Sequence, residues 1–169
     1  VKANLGAVTE EQIPYLKDLG IECLYLNPIF EADFNHKYAT TDYYKIDPIF
    51  GTNEDFKRFV EACHEADIKI VLDGVFNHCG SFNKWMDRER IYEGSEGYAH
   101  GAYVSETSPY RGFFHFHKQE SHRWPYNGTY DGWWGHDTLP KLNYEGDSEL
   151  ENYILEIGKK WVSAPYNVD

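Results

Sequence analysis

Apolar residues recur along the first half of the chain in the pattern that a parallel sheet with covering helices requires. The run 68–72 is short, apolar and rich in β-branched residues, which predicts a strand covered on both faces. The similar run 23–26 predicts an earlier buried strand. Ligand groups in such sheets gather beyond the carboxyl ends of strands, and the run 68–72 leads directly into Asp73, Asn77 and His78.

Three stretches carry helical periodicity. Thr9 begins a Ser/Thr-x-x-Glu/Gln pattern that predicts a helix start, with Gly20 as the stop. Thr52 is a predicted N-cap for a second helix, and Ser148 for a third. The apolar face of the second helix is formed by Phe56, Phe59, Val60 and Cys63. The apolar face of the third is formed by Leu150, Ile154, Ile157 and Trp161. This alternation of helices and strands predicts an α/β fold with a parallel sheet.

The stretch 79–146 interrupts that alternation. It is dense in aromatic residues, glycine and histidine, and a structureless loop of that length is rare in compact domains. We therefore predict an irregular, β-rich subdomain inserted after the strand. The expected division is 1–78 for the first part of the main fold, 79–146 for the insertion, and 147–169 for a helix and the start of another strand.

Two folds fit this order of elements, the doubly wound open sheet and the (β/α)8 TIM barrel. The open sheet favours a G-x-G-x-x-G turn, which the sequence lacks, so the barrel is preferred. A full barrel takes roughly 250 residues, whereas this chain has 169. The expectation is a partial barrel, from about strand 2 to the start of strand 4, belonging to a larger enzyme.

Composition and charge exclude some partners. A formal net charge of −12 would repel a phosphate backbone, which argues against nucleic acid. No apolar run is long enough for a membrane span, so no membrane partner is predicted. Cys23 and Cys63 fall in apolar stretches and the cysteine number is odd, which predicts reduced, buried thiols and favours a cytoplasmic protein. Because the chain starts at Val1, not at Met, the true N-terminus is expected to be missing and an extracellular location stays open.

Three segments carry a resemblance to a known family. They are Asn27-Pro28-Ile29-Phe30 with His36-Lys37-Tyr38-Ala39-Thr40-Thr41-Asp42-Tyr43, then Asp73-Gly74-Val75-Phe76-Asn77-His78, and finally Leu139-Pro140-Lys141-Leu142-Asn143. In this order they resemble the α-amylase superfamily of glycoside hydrolases, specifically its neopullulanase, cyclomaltodextrinase and amylopullulanase branch. The resemblance runs over essentially the whole chain.

The resemblance implies a retaining hydrolase of α-glucans, acting on the α-1,4 bonds, the α-1,6 bonds or both, in starch-derived oligosaccharides, pullulan or cyclodextrins. Such enzymes use a carboxylate nucleophile and a carboxylic acid/base roughly 5 Å apart. In the family all three catalytic carboxylates lie beyond the position of Asp169, so none is expected here and the chain alone is predicted to be inactive. The family implies α-glucan partners, with a dimer as one arrangement of the full-length enzyme.

The resemblance also implies roles for individual residues. Tyr38 matches an aromatic platform beneath the sugar, and His78 matches a histidine that hydrogen-bonds a sugar hydroxyl. The plain alternatives are an ordinary loop tyrosine and a histidine that bonds loop backbone. Asp42, Asp73 and Asn143 are expected to be supporting residues, with Asp42 paired to an arginine outside the chain.

No cofactor is expected to be required. Asn77 matches a position that binds calcium in relatives, but Lys141 stands where those relatives often carry Asp, and a cation there argues against the metal. The insertion holds five histidines, which are His100, His115, His117, His122 and His136. They lack the H-x-x-x-H and H-E-x-x-H spacings and cysteine partners, so no zinc site is predicted. Of its four tryptophans (Trp85, Trp124, Trp133 and Trp134), one or two are expected to touch glucan.

Two other functions remain as alternatives. The same barrel occurs as a non-catalytic, transporter-associated subunit, which would have lost sugar-site residues such as Tyr38 and His78. A stand-alone carbohydrate-binding module would have a closed fold. The sequence following Asp169 would separate these from the hydrolase.

Overall fold

The computed structural model describes residues 4–117, 122–123, 126–127, 129–145 and 148–169. The chain forms two compact units. Unit 1 comprises Val1–Glu31, Tyr43–Gly74 and Leu155–Asp169, and unit 2 comprises Ala32–Asp42 and Val75–Ile154. Segments distant in sequence therefore share each unit.

Unit 1 opens with a helical stretch made of α1 (Leu5–Ala7), a π-helical turn (Val8–Gln12) and α2 (Ile13–Asp18). The Asn4 side chain accepts a hydrogen bond of 2.8 Å from the Ala7 N–H, so the helix begins earlier than predicted. The predicted start at Thr9 is wrong, because its hydroxyl donates to the Leu5 carbonyl from within the stretch. Gly20 has a φ of 83°, which confirms the predicted stop.

Strands β1 (Cys23–Leu26) and β4 (Lys69–Leu72) pair in parallel, as predicted. The expectation that both faces are covered is wrong in the described structure. Ile70 is buried, whereas Tyr25 is 62% and Val71 38% exposed. Cys23 is exposed as well, which corrects its predicted burial, although all three cysteines are free as expected. Side chains alternate along a strand, so covering one face leaves every second residue open.

Helix α3 (Asn53–Glu65) follows the prediction closely. Thr52 and Asp55 form a capping box in which each side chain accepts from the other's backbone N–H. The four predicted apolar residues are buried: Phe56, Phe59, Val60 and Cys63. Between β1 and α3 lie β2 (Phe30–Ala32) and β3 (Thr40–Ile46), which form a two-stranded sheet.

Helix α4 (Ser148–Val162) is also confirmed, with Leu150, Ile157 and Trp161 buried. The Ser148 side chain lies outside the described part of the chain. The start of another strand expected at 166–169 stays a prediction. Asp169 contacts β4 by donating its N–H to the Ile70 carbonyl at 3.1 Å. No helix among the described residues is long and apolar enough to cross a bilayer.

Between residues 75 and 145 the described part of unit 2 forms short regular elements: the 3-10 turns Arg111–Phe113 and Trp133–Gly135, the two-residue strands β5 (His122–Arg123) and β6 (Tyr126–Asn127), and isolated bridges. The β-rich character expected of the insertion stays a prediction. Aromatic residues are buried within this part. Trp85 packs edge-on against Phe113, with ring centroids 5.6 Å apart. Trp124 lies outside the described residues.

Candidate functional site

The segment that ends in His78 lies beside the later motif of the sequence. His78 and Lys141 form an antiparallel bridge, and the Leu142 N–H donates to the Asn77 carbonyl at 3.0 Å. Backbone pairing of this kind fixes the register between two loops that are far apart in sequence. The structure thus brings two of the three family-like segments together in unit 2.

The remaining segment, which contains Tyr38 and comes first in the sequence, meets the other two at Gly80. The Gly80 N–H donates to the Thr40 carbonyl at 2.8 Å. A Cβ at position 80 would lie 2.6 Å from the Ala39 carbonyl oxygen, so only glycine permits this approach. The crossing places the chain around Tyr38 directly against the chain around His78.

Beside these contacts lies a cavity of about 560 Å3 that is open to solvent. It is lined by His36, Tyr38, His78, Trp133, His136, Thr138 and Leu139. The volume falls within the roughly 300–1,000 Å3 typical of small-ligand pockets. Both predicted sugar-binding residues therefore line one cavity, together with aromatic residues of the insertion.

His78 is fixed through both ring nitrogens. Its Nε2–H donates to the Tyr38 carbonyl oxygen at 3.0 Å, and its Nδ1 lies 3.2 Å from the Asn77 side-chain amide, which donates to it. A carbonyl oxygen can only accept, so these contacts select the neutral Nε2–H tautomer. Burial lowers the pKa of His78, an effect that the Tyr38 contact opposes and nearby His36 reinforces. This is the contact with loop backbone that the plain alternative predicts for His78, and its role in sugar binding stays a prediction.

Tyr38 presents its ring to solvent while its backbone is held. Its N–H donates to His36 Nδ1 at 3.0 Å, and its backbone carbonyl oxygen accepts from His78 Nε2. The residue before it, Lys37, has a φ of 64° and donates its ammonium to the Ala32 carbonyl at 3.1 Å. The residue remains 38% exposed, and an exposed tyrosine ring offers a flat apolar surface for a ligand.

Trp133 and Trp134 form an exposed aromatic pair at the cavity. Their rings stack 4.8 Å apart and 6° from parallel, and Trp133 lies 5.7 Å from the His78 ring. Trp134 has a φ of 51° and is 78% exposed. A large side chain in the left-handed region is a strained arrangement that concentrates at functional sites. Composition singled out these residues, but nothing in the sequence signals the strain.

The hairpin 132–140 that carries this pair is anchored at both its base and its tip. At the base the Trp133 N–H donates to the Leu139 carbonyl at 2.9 Å. At the tip Arg88 pairs with the nearly buried Asp137 at 2.8 Å, and the Tyr130 hydroxyl donates to the Asp137 carbonyl. A buried ion pair of this sort holds a loop in one conformation.

The expected supporting residues do not all lie in this unit. Asp73 belongs to unit 1, where the Tyr25 hydroxyl donates to its carboxylate at 2.9 Å. Asp42 lies half-buried in β3. Asn143 donates its N–H to the Phe113 carbonyl at 2.8 Å and lines a second cavity, of about 490 Å3. Their supporting roles stay predictions.

The described contacts of Asn77 do not form a calcium site. Its side-chain Nδ2–H donates to His78 Nδ1, and its backbone carbonyl accepts from the Leu142 N–H. Calcium takes six to eight oxygen ligands, and within the described residues no group of three metal-ligating side chains converges at Asn77. No step of the chemistry is therefore assigned to calcium.

Comparison with known proteins gives one consistent match. The catalytic domain of alpha amylase matches residues 4–169. An amylopullulanase of Thermoanaerobacterium thermosulfurigenes is 36% identical over 170 residues, which cover 95% of this chain and 9% of the relative. A cyclomaltodextrinase of Geobacillus thermopakistaniensis is 38% identical over 153 residues, covering 90% of this chain and 24% of the relative.

Comparison with solved structures gives a similar result. A debranching enzyme of Nostoc punctiforme superposes with a TM-score of 0.78 at 32% identity, covering 99% of this chain and 32% of that one. The chain thus spans about a quarter or less of the curated relatives described and a third of the solved structure.

Proposed function

Because the chain belongs to the α-amylase family, matching its catalytic domain over residues 4–169, we propose that unit 2 supplies a sugar-binding wall of an α-glucan hydrolase. The observation that carries the proposal is the cavity in which Tyr38, His78 and Trp133 meet. The proposed reaction of the whole protein is retaining hydrolysis of α-1,4 and α-1,6 bonds. The proposed substrates are starch-derived oligosaccharides, pullulan or cyclodextrins.

The chemistry of that reaction requires groups that we place outside residues 1–169. A retaining mechanism uses two carboxyl groups roughly 5 Å apart across the scissile bond. In the family these groups follow the position of Asp169, and the relatives are several times longer than this chain. The chain therefore contributes binding and orientation, and the purified 169-residue protein is expected to release no reducing sugar.

Two aromatic surfaces account for sugar recognition. The C–H faces of glucose pack on flat rings, which lose little conformational entropy on binding. Tyr38 offers one such ring, and the stacked Trp133 and Trp134 offer another. His78 keeps the first ring in place through the Tyr38 carbonyl and can extend the same N–H to a sugar hydroxyl.

A binding titration tests the proposal in the 169-residue protein. Maltoheptaose is added while tryptophan emission is recorded, and Tyr38→Ala and Trp133→Ala are compared with the parent. Each variant is expected to weaken binding by about tenfold, the effect of losing one aromatic stacking contact of roughly 1.4 kcal/mol. Tyr15→Ala is the matched control, because Tyr15 is 60% exposed and lies in unit 1.

The outcomes separate the proposal from its alternatives. Equal affinity in Tyr38→Ala, Trp133→Ala and the parent would show that the cavity does not bind glucan. Reducing-sugar release by the purified protein would refute the placement of the carboxylates outside it. Cellobiose-type β-glucan is the specificity control, and binding equal to that of maltoheptaose would point to a general carbohydrate-binding surface.

A further inference from the structure

Three metal-ligating side chains converge in unit 2 away from the Tyr38 cavity. The segments 115–117 and 129–131 run antiparallel: the His117 N–H donates to the Thr129 carbonyl at 2.7 Å, and the Asp131 N–H donates to the His115 carbonyl at 3.0 Å. Residues two apart on an extended segment point to the same face. Backbone pairing thus places the two imidazoles and the Asp131 carboxylate on one face.

The residue between the histidines confirms the alternation. Phe116 bridges Tyr130 across the pair and packs against its ring at 5.8 Å, while the Arg111 guanidinium lies 3.4 Å from the Phe116 ring centroid. The opposite face is therefore filled by an aromatic and cationic cluster. This packing holds the two segments rigid from behind.

The ligand atoms are close enough to share one ion. His115 Nδ1 lies 3.0 Å from one Asp131 carboxylate oxygen, and His117 Nε2 lies 2.7 Å from the other. All three ligand atoms lie within 4.8 Å of one another. Zinc bonds of about 2.0–2.1 Å imply ligand separations of roughly 3.3 Å in a tetrahedron. Small side-chain rotations bridge the difference.

The geometry points to a binding site for a divalent transition metal, of which Zn²⁺ is the best match, held by His115, His117 and Asp131. Two imidazoles and one carboxylate suit zinc and similar ions, whereas calcium requires an oxygen shell that one carboxylate cannot supply. The site opens on the cavity of about 490 Å3 that His115 and Asp131 line. A fourth position therefore remains for water or a ligand.

A purely hydrogen-bonded His-Asp-His group is the competing explanation. In that arrangement His115 Nδ1 and His117 Nε2 each donate a proton to the Asp131 carboxylate. A metal ion would take the place of these two protons and bind the same three ligand atoms, with both imidazoles neutral. The side chains of His115, His117 and Asp131 are 61%, 39% and 41% exposed, so an ion reaches them from solvent.

The site has a consequence for the hairpin 132–140. Asp131 immediately precedes that hairpin, and its carbonyl accepts from the Lys141 N–H at 2.9 Å at the other end. A metal on Asp131 would fix the base of the hairpin that carries Trp133. The proposed ion is therefore structural, and its binding is expected to stabilise the folded state of unit 2.

Zinc binding to the metal-free 169-residue protein tests the inference by calorimetry and thermal melting. One ion per chain is expected, with a rise in Tm of roughly 5 °C at about a hundredfold excess over Kd. His115→Ala, His117→Ala and Asp131→Asn should each weaken zinc binding by more than about tenfold. The loss of a residue that only hydrogen-bonds a metal ligand already lowers metal affinity by about that factor. His100→Ala, an exposed histidine of unit 2, should leave it unchanged.

Two results would overturn the site. One is an absence of zinc binding by the parent at millimolar metal, and the other is unaltered stoichiometry and affinity in all three ligand variants. If a variant fails to fold, the ligands are identified in the parent protein by NMR of the imidazole nitrogens. Zinc should shift Nδ1 of His115 and Nε2 of His117 only, and shifts confined to other histidines would place the ion elsewhere.

Discussion

His78 donates its Nε2 proton to the backbone carbonyl oxygen of Tyr38 at 3.0 Å, so the two residues expected to touch sugar are coupled to each other before any sugar arrives. His78 is 6% exposed and Tyr38 is 38% exposed. In the proposed sugar site the buried residue is the support and the exposed one is the contact surface. Loss of the support should displace the contact surface.

Replacement of His78 tests this coupling. His78→Ala removes the donor to the Tyr38 carbonyl and is expected to weaken maltoheptaose binding by about tenfold and to lower the free energy of unfolding by roughly 1–3 kcal/mol. His78→Gln keeps an N–H donor and should recover part of both losses. The two variants are compared by sugar titration and urea unfolding. Identical losses in both would show that the hydrogen bond is not the cause.

Breaking the Arg88–Asp137 pair should destabilise the hairpin that carries Trp133. Arg88→Ala removes a guanidinium 2.8 Å from a carboxylate whose side chain is 6% exposed. The expected loss in unfolding free energy is roughly 3 kcal/mol, the lower end for buried pairs, since Arg88 is partly exposed. Arg90→Ala is the matched control: its pair with Glu93 is exposed and should contribute less than about 1 kcal/mol. Equal losses in the two variants would show that the burial of Asp137 does not make its ion pair more stabilising than an exposed one.

The three cysteines should react very differently with a maleimide. Cys23 is exposed, whereas Cys63 and Cys79 are buried. Burial raises the pKa of Cys63 to about 11 and raises that of Cys79 as well, so neither forms much thiolate at about pH 8. Mass spectrometry of the native protein should find one label, absent in Cys23→Ser. Rapid labelling at a second site would contradict the burial.

Thr52→Ala should shorten or weaken α3. Hydrogen bonds from the Thr52 backbone and side chain hold the pKa of Asp55 below its usual value, so this carboxylate stabilises the fold above its unfolded pKa, and the effect is lost as pH falls through the lower folded value. The variant should lose about 1 kcal/mol of unfolding free energy at about pH 7.

The same substitution should matter less in acid. In acid, as the pH falls through the lowered pKa of Asp55, the difference between Thr52→Ala and the parent should shrink. Urea unfolding near neutral pH and in acid measures it, with Glu61→Gln on the exposed side of α3 as the control. A difference that stays constant with pH would exclude the capping box as its source.

Local signals predicted the regular elements well. The cap at Thr52 and the apolar spacing of Phe56 and Cys63 involve residues close together in the sequence, so they can be recognised without knowing the fold. Helix α3 forms where they predict it. The start of the first helix was misplaced because Asn4 and Thr9 are both good caps, and position alone does not decide between them. Cys23 was misjudged since an apolar run does not reveal which of its faces is covered.

Features that depend on pairing between distant segments were out of reach. The His115 and His117 spacing fits no helical metal motif, and its meaning depends on Asp131 lying across an antiparallel pair. Trp134 carries no turn signal, because the backbone conformation that strains it is imposed by the surrounding hairpin. Such sites become visible only when the chain is folded.

Gly132 limits how this protein can diversify. A side chain there would collide with the His136 carbonyl oxygen, so the narrow neck of the hairpin admits glycine alone. Substitutions that keep this hairpin conformation are therefore confined to its other positions, such as Trp134 at the tip. In the proposed glucan-binding role, exchanging tip residues while Gly132 stays constant is expected to alter which glucans bind.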